Sequence, residues 1–259
     1  MSITQLTNPR SDFFSLCNLV YLALHTNRVP ILPRFSAIHH LGGARGAVLA
    51  VSKVFDLPAL QQTLGISLLE WPDVKDLRDD RDDHLDEPLG CWSTNQLLFN
   101  DVLHPPTERA MGLDVAYWPL HSRMRLQSGA TNMVNLHSLA ALDRPGWRGE
   151  AIARKSGKPS PAPVSKIIHP PDRKLLCFDY LFFAGTYAQD ALEYYHEYSP
   201  VWAMVGQHFK FRKDIVDAAK AMVHRTLGVP AYAPTPPVNF FSTSRSSRLK
   251  PSGSILRSM

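Results

Sequence analysis

Long apolar runs are missing from this sequence. The longest, Leu19 to Leu24, falls far short of the roughly 20 residues that cross a bilayer, so no membrane segment is expected. No signal peptide is expected either, because Met1 is followed by Ser2-Ile3-Thr4-Gln5 with neither a basic stretch nor a sustained apolar core. Cysteine is scarce: Cys17, Cys91 and Cys177 are too few for a disulfide scaffold, and their spacing fits no zinc motif. None of the 11 histidines sits in an HExxH or Cys-x-x-Cys context, so neither a metal nor a cofactor is expected. Charge is thin too, at 20% Asp, Glu, Lys and Arg against a usual quarter. What is plentiful is apolar content, 44% of 259 residues, enough for one large α/β domain or two small ones. The 21 prolines point to long irregular connections on that folded body.

The net charge of +5 invites a nucleic-acid reading until it is located. Residues 229–259 hold Arg245, Arg248, Lys250 and Arg257 and no acid, so the rest of the chain is nearly neutral. Two internal biases offset each other: Asp73 to Glu87 carries eight acids against three bases, and Arg144 to Lys174 eight bases against two acids. Neither basic stretch interleaves the aromatics a stacking platform needs, so nucleic acid is not the expected partner.

Periodicity outlines the fold. Phe13, Leu16, Cys17, Val20 and Leu24 recur at helical spacing within Ser11 to Thr26. After Asn27-Arg28 comes the short apolar run Val29-Pro30-Ile31-Leu32, which gives a helix-to-strand unit of a parallel sheet. Arg34 to Gly46 reads as a loop after the carboxyl end of that strand, the edge where open α/β sheets bind ligands. Asp56 caps a helix through Leu64 that Gly65 ends, and Ile66 to Leu69 is the next strand. Helices are expected over Thr94 to Leu103, Thr131 to Leu142, Pro200 to Phe209 and Lys213 to Leu227, and strands over Asp114 to Tyr117 and from Lys174 through Phe183. Gly146 to Pro163 is a Gly/Pro/Lys/Ser connection without periodicity. The expected class is α/β with a short mainly parallel sheet in residues 1–228, followed by a disordered Pro/Ser/Arg-rich tail over 229–259.

Several stretches in order resemble a fungal branch of the GDP-fucose protein O-fucosyltransferase-like glycosyltransferases. They are Leu16 to Leu24, Thr26 to Pro33, Val54 to Leu57, Leu69-Glu70-Trp71, Val74 to Asp76 and Leu89 to Trp92. Leu175 to Leu181, Tyr198 to Trp202, Val205 to His208 and Arg225 to Gly228 complete the series. The resemblance implies a Rossmann-like domain equivalent to the first half of a GT-B enzyme, a GDP-sugar donor, a protein or glycan acceptor, and the secretory pathway (ER/Golgi). It also implies what is missing. Relatives continue from Arg-Thr-Leu-Gly into a strand with a His-x-Arg signature where this chain has Pro236-Pro237-Val238-Asn239, so it is expected to be truncated and inactive, with a non-catalytic Rossmann-like binding module as the alternative. Relatives also open with a strand and a Gly-x-x-Asn turn; here only Gln5-Leu6-Thr7-Asn8 remains, which leaves the first strand short or lost. By the same resemblance Cys91 and Cys177 are candidates for a disulfide, while Cys17 on its helical stripe is expected to be a buried free thiol.

The candidate site residues carry two readings each. Asn8 offers its amide to sugar or phosphate oxygens ahead of a helix N-terminus, or is an ordinary helix cap. His39 and His40, beside Gly42 and Gly43, approach a pyrophosphate or act as a base, or are polar loop residues. Glu70, with Asp73 nearby, deprotonates an acceptor hydroxyl, or is a surface carboxylate at a strand end. Trp92, Trp118, Trp147 and Trp202 stack on a sugar, or are core packing.

Overall fold

In a computed structural model, residues 1–5, 12–36, 48–75, 87–102, 108, 111–126, 133–143, 155, 157–171, 174–186 and 199–228 are described. The chain divides into two units, Met1–Lys213 and Asp214–Met259. The first opens with a strand, β1 (Ser2–Gln5), followed by helix α1 (Asp12–Thr26). Of the predicted stripe, Leu16, Cys17 and Val20 are buried and Phe13 and Leu24 partly so, but every residue from Ser15 to Ala23 is buried, so α1 is covered on all sides and not along one stripe alone. The helix ends in a left-handed cap, with Asn27 at φ 52° and the Arg28 N–H donating 3.0 Å to the Ala23 carbonyl. That cap turns the chain directly into β2 (Val29–Leu32).

A small antiparallel pair, β3 (Phe35–Ser36) with β4 (Val48–Leu49), comes next, then helix α2 (Leu57–Leu64). The Asp56 carboxylate accepts from the Ala59 N–H at 3.2 Å and Gly65 closes the helix at φ 66°, a conformation a side chain would strain. The following strand is β5 (Leu69–Glu70), shorter and later than Ile66 to Leu69, because Glu70 itself pairs with Leu32. Then come α3 (Trp71–Val74), β6 (Glu87–Ser93), α4 (Thr94–Phe99) and β7 (Leu113–Pro119). Helix α4 stops short of Leu103 because Asn100 takes the left-handed conformation at φ 56°. The helix expected over Thr131 to Leu142 is a bridge strand, β8 (Val134–Asn135), leading into the short α5 (Leu136–Ala140). The apolar run expected as one long strand yields β9 (Leu175–Phe178), ended where Asp179 turns toward α4, and β10 (Ala184–Gly185) pairs with β8. Helix α6 (Pro200–Met204) is capped by Ser199 and gives way at Val205 to a single 3-10 turn, so Pro200 to Phe209 is not one helix.

Six strands form one parallel sheet in the order β5-β2-β1-β9-β6-β7. The expected α/β, mainly parallel, Rossmann-like class is what is observed. Of the two outcomes expected for the first strand, short or lost, it is short: β1 is four residues long and sits between β2 and β9. Alternate residues face opposite sides, as strand geometry requires. Ile3, Leu32, Trp92 and Phe178 pack with α1 on one face, while Ile31, Cys91, Val115, Tyr117 and Cys177 form a second cluster on the other. In that second cluster the fully buried Tyr117 hydroxyl donates to the buried Glu108 carboxylate.

Three long-range devices hold the sheet. At the amino ends of the strands, the buried Arg28 guanidinium donates from Nη1 to the Ser2 carbonyl at 2.8 Å and the Lys174 carbonyl at 3.1 Å, and from Nε to Asp143. On the second face, Cys91 and Cys177 form a disulfide with Cα atoms 4.6 Å apart, joining adjacent strands β6 and β9. Cys17 is free and buried, and burial pushes its thiol pKa up, which leaves it unreactive. Lastly, residues 157–171 bind the outer edge of β7 through reciprocal Ser160–Tyr117 backbone hydrogen bonds of 2.8 and 3.1 Å, then pass over the sheet at Gly90. A Cβ at position 90 would lie 2.2 Å from the Pro170 carbonyl oxygen, so glycine is required there.

In the second unit, helix α7 (Lys213–Leu227) matches its expected bounds and ends at Gly228 with φ 64°. It is amphipathic, and none of its residues is buried. Among the described residues no helix is long and apolar enough to cross a membrane.

The disulfide closes a loop of 86 residues. Replacing both Cys91 and Cys177 by Ala is expected to lower unfolding stability by about 2–4 kcal/mol. Denaturant titration without reductant reads the difference, and equal midpoints would remove the bridge from the list of devices that hold the sheet.

Candidate functional site

The carboxyl ends of the parallel strands place a row of polar residues along one edge of the sheet. Reading across the strand order, Glu70 ends β5, Gln5 ends β1, Asp179 follows β9, and Ser93 ends β6 with Thr94 next. Neighbouring strands are about 4.8 Å apart, so Glu70 and Gln5, two strands distant, lie on the order of 10 Å from each other. The chain leaves β1 toward β2 on one side, whereas β9 and β6 lie on the other. That is the topological switch point, the crevice where open α/β sheets hold ligands.

Gln5 is fully buried at this point, and among the described residues neither the oxygen nor the nitrogen of its amide has a hydrogen-bond partner. Buried polar groups are nearly always paired, so this amide stands out along the edge. Ser15, in the first turns of α1, is likewise fully buried with an unpartnered hydroxyl. Nearby order comes from Asn18 of the same helix, whose amide nitrogen donates to the carbonyls of Leu181 at 2.7 Å and Ala184 at 2.9 Å. This fixes the chain after β9.

Asp179 is the most heavily engaged carboxylate at the edge. It accepts from the Ser93 hydroxyl at 2.6 Å, the Thr94 N–H at 2.8 Å, the Thr94 hydroxyl at 2.9 Å and the Asn95 N–H at 3.2 Å. The single Thr94 hydroxyl proton is shared with the Tyr180 carbonyl. Ser93 Oγ in turn accepts from the Gln96 N–H at 2.9 Å, so Asp179 and Ser93 together cap α4. Burial pushes the Asp179 pKa up, and these hydrogen bonds offset only part of the rise. Asp179 therefore organises the edge from within.

Glu70 is half-buried, with its carboxylate accepting from the Ser52 N–H at 3.1 Å and from the Ser52 hydroxyl. Asp73 is exposed, and its carboxylate accepts from the Glu70 N–H at 2.7 Å, closing the first turn of α3. Of the other expected residues, Asn8, His39, His40, Gly42, Gly43 and Trp147 lie outside the described residues. Trp92 is core; Trp118 is half-buried, its indole N–H donating 2.7 Å to the His169 carbonyl, and Trp202 packs edge-on against Phe13. Among the described residues no group of three or more His, Cys, Asp or Glu is arranged to hold a metal ion.

Sequence reasoning passed over Gln5, Ser15 and Asp179. Asp179 had a signal, as the one charged residue in the apolar run Leu175 to Phe183. Gln5 and Ser15 had none, because their burial is a product of β9 arriving beside β1.

The class these features define is a Rossmann-like α/β protein with polar residues along the carboxyl edge of its sheet. No protein-family profile matches the sequence, and no curated protein matches it. Among solved structures, the chain is similar to two crystal structures of POFUT1 in complex with GDP-fucose. Their TM-scores are 0.47 and 0.45 and their identities 11% and 10%, each comparison covering 86% of this chain and 55% of the POFUT1 chain. The chain thus spans about half the length of those structures.

Two outcomes follow from the edge. Replacing Gln5 with Leu removes an unsatisfied buried amide and is expected to raise stability by about 1–3 kcal/mol, read as a higher melting temperature; a lower one would mean the amide has a structural partner. For Asp179 the folded pKa lies above the unfolded value, so its contribution to stability is fullest in acid and is lost as pH rises from about 4 through the raised value. The stability difference between the native protein and Asp179→Asn should accordingly shrink with rising pH, and a flat difference across a series of pH melts would contradict the assignment.

Proposed function

We propose that this chain is the acceptor-side half of an O-fucosyltransferase-like glycosyltransferase, with a GDP-sugar as donor and a protein or glycan hydroxyl as acceptor, and that alone it does not complete transfer. The observation that carries this reading is the buried, unpartnered Gln5 amide at the switch point. An amide presents two donors and an acceptor side by side, and a sugar hydroxyl, donor and acceptor at once, is complementary to that pair. The ordered resemblance of the sequence to the family supports the same assignment. In this reading Asn8 is a second amide for the sugar, His39 and His40 meet the pyrophosphate or take the acceptor proton, Gly42 and Gly43 allow close backbone approach, and Glu70 serves as base from the end of β5. The Cys91–Cys177 disulfide suits an oxidising compartment such as the secretory pathway.

Glycosyl transfer needs more than these groups. The departing GDP must be stabilised by fixed cations while the acceptor hydroxyl is held and deprotonated opposite it. The edge described here is built from amides, hydroxyls and carboxylates, which suit the acceptor and not a diphosphate. A non-catalytic binding module is the second reading, and one observation favours it. Glu70 has both carboxylate oxygens engaged by Ser52 and Asp73 is used as a helix cap, so neither is an unengaged base.

Calorimetric titration of the full chain with GDP-fucose, together with a donor-hydrolysis assay, tests the proposal. The expected result is neither micromolar binding nor turnover; either one would show that this chain holds the donor by itself.

A further inference from the structure

Three exposed aliphatic side chains lie close together in sequence on the segment that passes over β7 and β6. Val164 is 55% exposed, Ile167 56% and Ile168 39%. Beneath them the buried Ala162 anchors the turn, and Asp114 of β7 holds its tip: the Asp114 carboxylate accepts from the Val164 N–H at 3.0 Å and the Ser165 N–H at 2.9 Å. Burial pushes the Asp114 pKa up, but these hydrogen bonds, that of the Ser165 side chain and the neighbouring His169 outweigh it and hold the carboxyl below the usual range. Ala162 N donates to the Ile167 carbonyl at 3.1 Å, Lys166 N to the Ala162 carbonyl at 2.9 Å, and Ile167 N to Ser165 Oγ at 3.2 Å. Pro161 and Pro163 have no N–H. From Pro161 to Ile167, then, every backbone donor is satisfied from within the protein.

That bookkeeping has a physical meaning. A loop that enters an apolar medium must bring its hydrogen-bond partners with it, because the hydrocarbon offers none. This loop brings a partner for each donor, and it presents Val and Ile at its crest. Lys158 and Lys166 of the same segment are exposed, within a stretch of the sequence that carries eight bases against two acids. Lysine stems lie along apolar surface while the ammonium reaches the headgroup level. Protein-docking hot spots favour Trp, Tyr and Arg, and residues 157–171 contain none of them.

We propose that the Pro161–Ile168 tip is a peripheral docking element for an anionic lipid surface, with Val164 and Ile167 at the boundary between headgroups and acyl chains and Lys158 and Lys166 against the lipid anions. This is independent of the function proposed above.

The test uses the full chain with Val164→Cys, labelled with an environment-sensitive fluorophore. Labelling is selective, since Cys91 and Cys177 are bonded to each other and Cys17 is buried. Phosphatidylcholine vesicles containing phosphatidylserine should shift the emission to the blue, and phosphatidylcholine alone should not. In sedimentation with the same vesicles, Ile167→Asp should weaken binding by about tenfold and Lys166→Glu by about fivefold, with unchanged melting curves. The basic residues of 229–259 remain in every variant, so vesicle binding that persists undiminished in Ile167→Asp overturns the proposal. So does an unshifted fluorophore, and a shift produced by soluble polyglutamate but not by vesicles would assign the tip to an acidic protein partner instead.

Discussion

The arrangement depends on one late strand entering the middle of the sheet. β9 pairs with β1 over its whole length and meets β6 at Trp92–Phe178, so it joins a half built from β1, β2 and β5 to a half built from β6 and β7. Three fastenings hold this join, one covalent and two made of hydrogen bonds. The Cys91–Cys177 bridge fixes β9 against β6 on one face, and just beyond the strand Asp179 gathers four hydrogen bonds from Ser93, Thr94 and Asn95. At the other end Arg28 ties the starts of β1 and β9 together through the Ser2 and Lys174 carbonyls. Gln5 and Asp179 come to neighbouring strand ends because β9 stands beside β1.

Elements with a local cause were legible in the sequence. Helix α1 shows its stripe, α2 its Asp56 cap and Gly65 stop, β2 its apolar run, and α7 its whole extent. β6 was not read as a strand: it begins Glu87-Pro88 and carries Gly90, features that argue against a strand until the overlying Pro170 backbone explains the glycine. β1 was undervalued for a related reason. Ser2-Ile3-Thr4-Gln5 is polar, and it sits in the sheet interior because the Thr4 hydroxyl finds the Ile31 carbonyl at 2.9 Å, a partner 27 residues away. The candidate site divides in the same manner. Glu70 was visible as a carboxylate at a strand end, whereas the engagement of both its oxygens by Ser52 depends on a turn distant in sequence. Asp179 was visible as a lone charge in an apolar run, but its helix-capping role depends on α4.

The two polar residues that matter most at the edge differ in how completely they are satisfied. Asp179 has a donor for each of its oxygens and is a finished piece of structure. Among the described residues Gln5 has no partner for either amide atom. Buried donors are thus spent fully on the residue after β9, while the neighbouring end of β1 keeps an unsatisfied amide.

The central place of β9 also sets an order of events in time. Ser2 pairs with Leu175, so during synthesis β1 has β2 on one side and an unfilled edge on the other until nearly the whole first unit has been made. Sheets that close through such distant pairings form slowly, and an unpaired edge is open to wrong partners meanwhile. The disulfide cannot guide this step, since Cys177 lies on the arriving strand itself. It can only seal the sheet after β9 has found its place, which makes oxidation a lock on the finished topology and not its template.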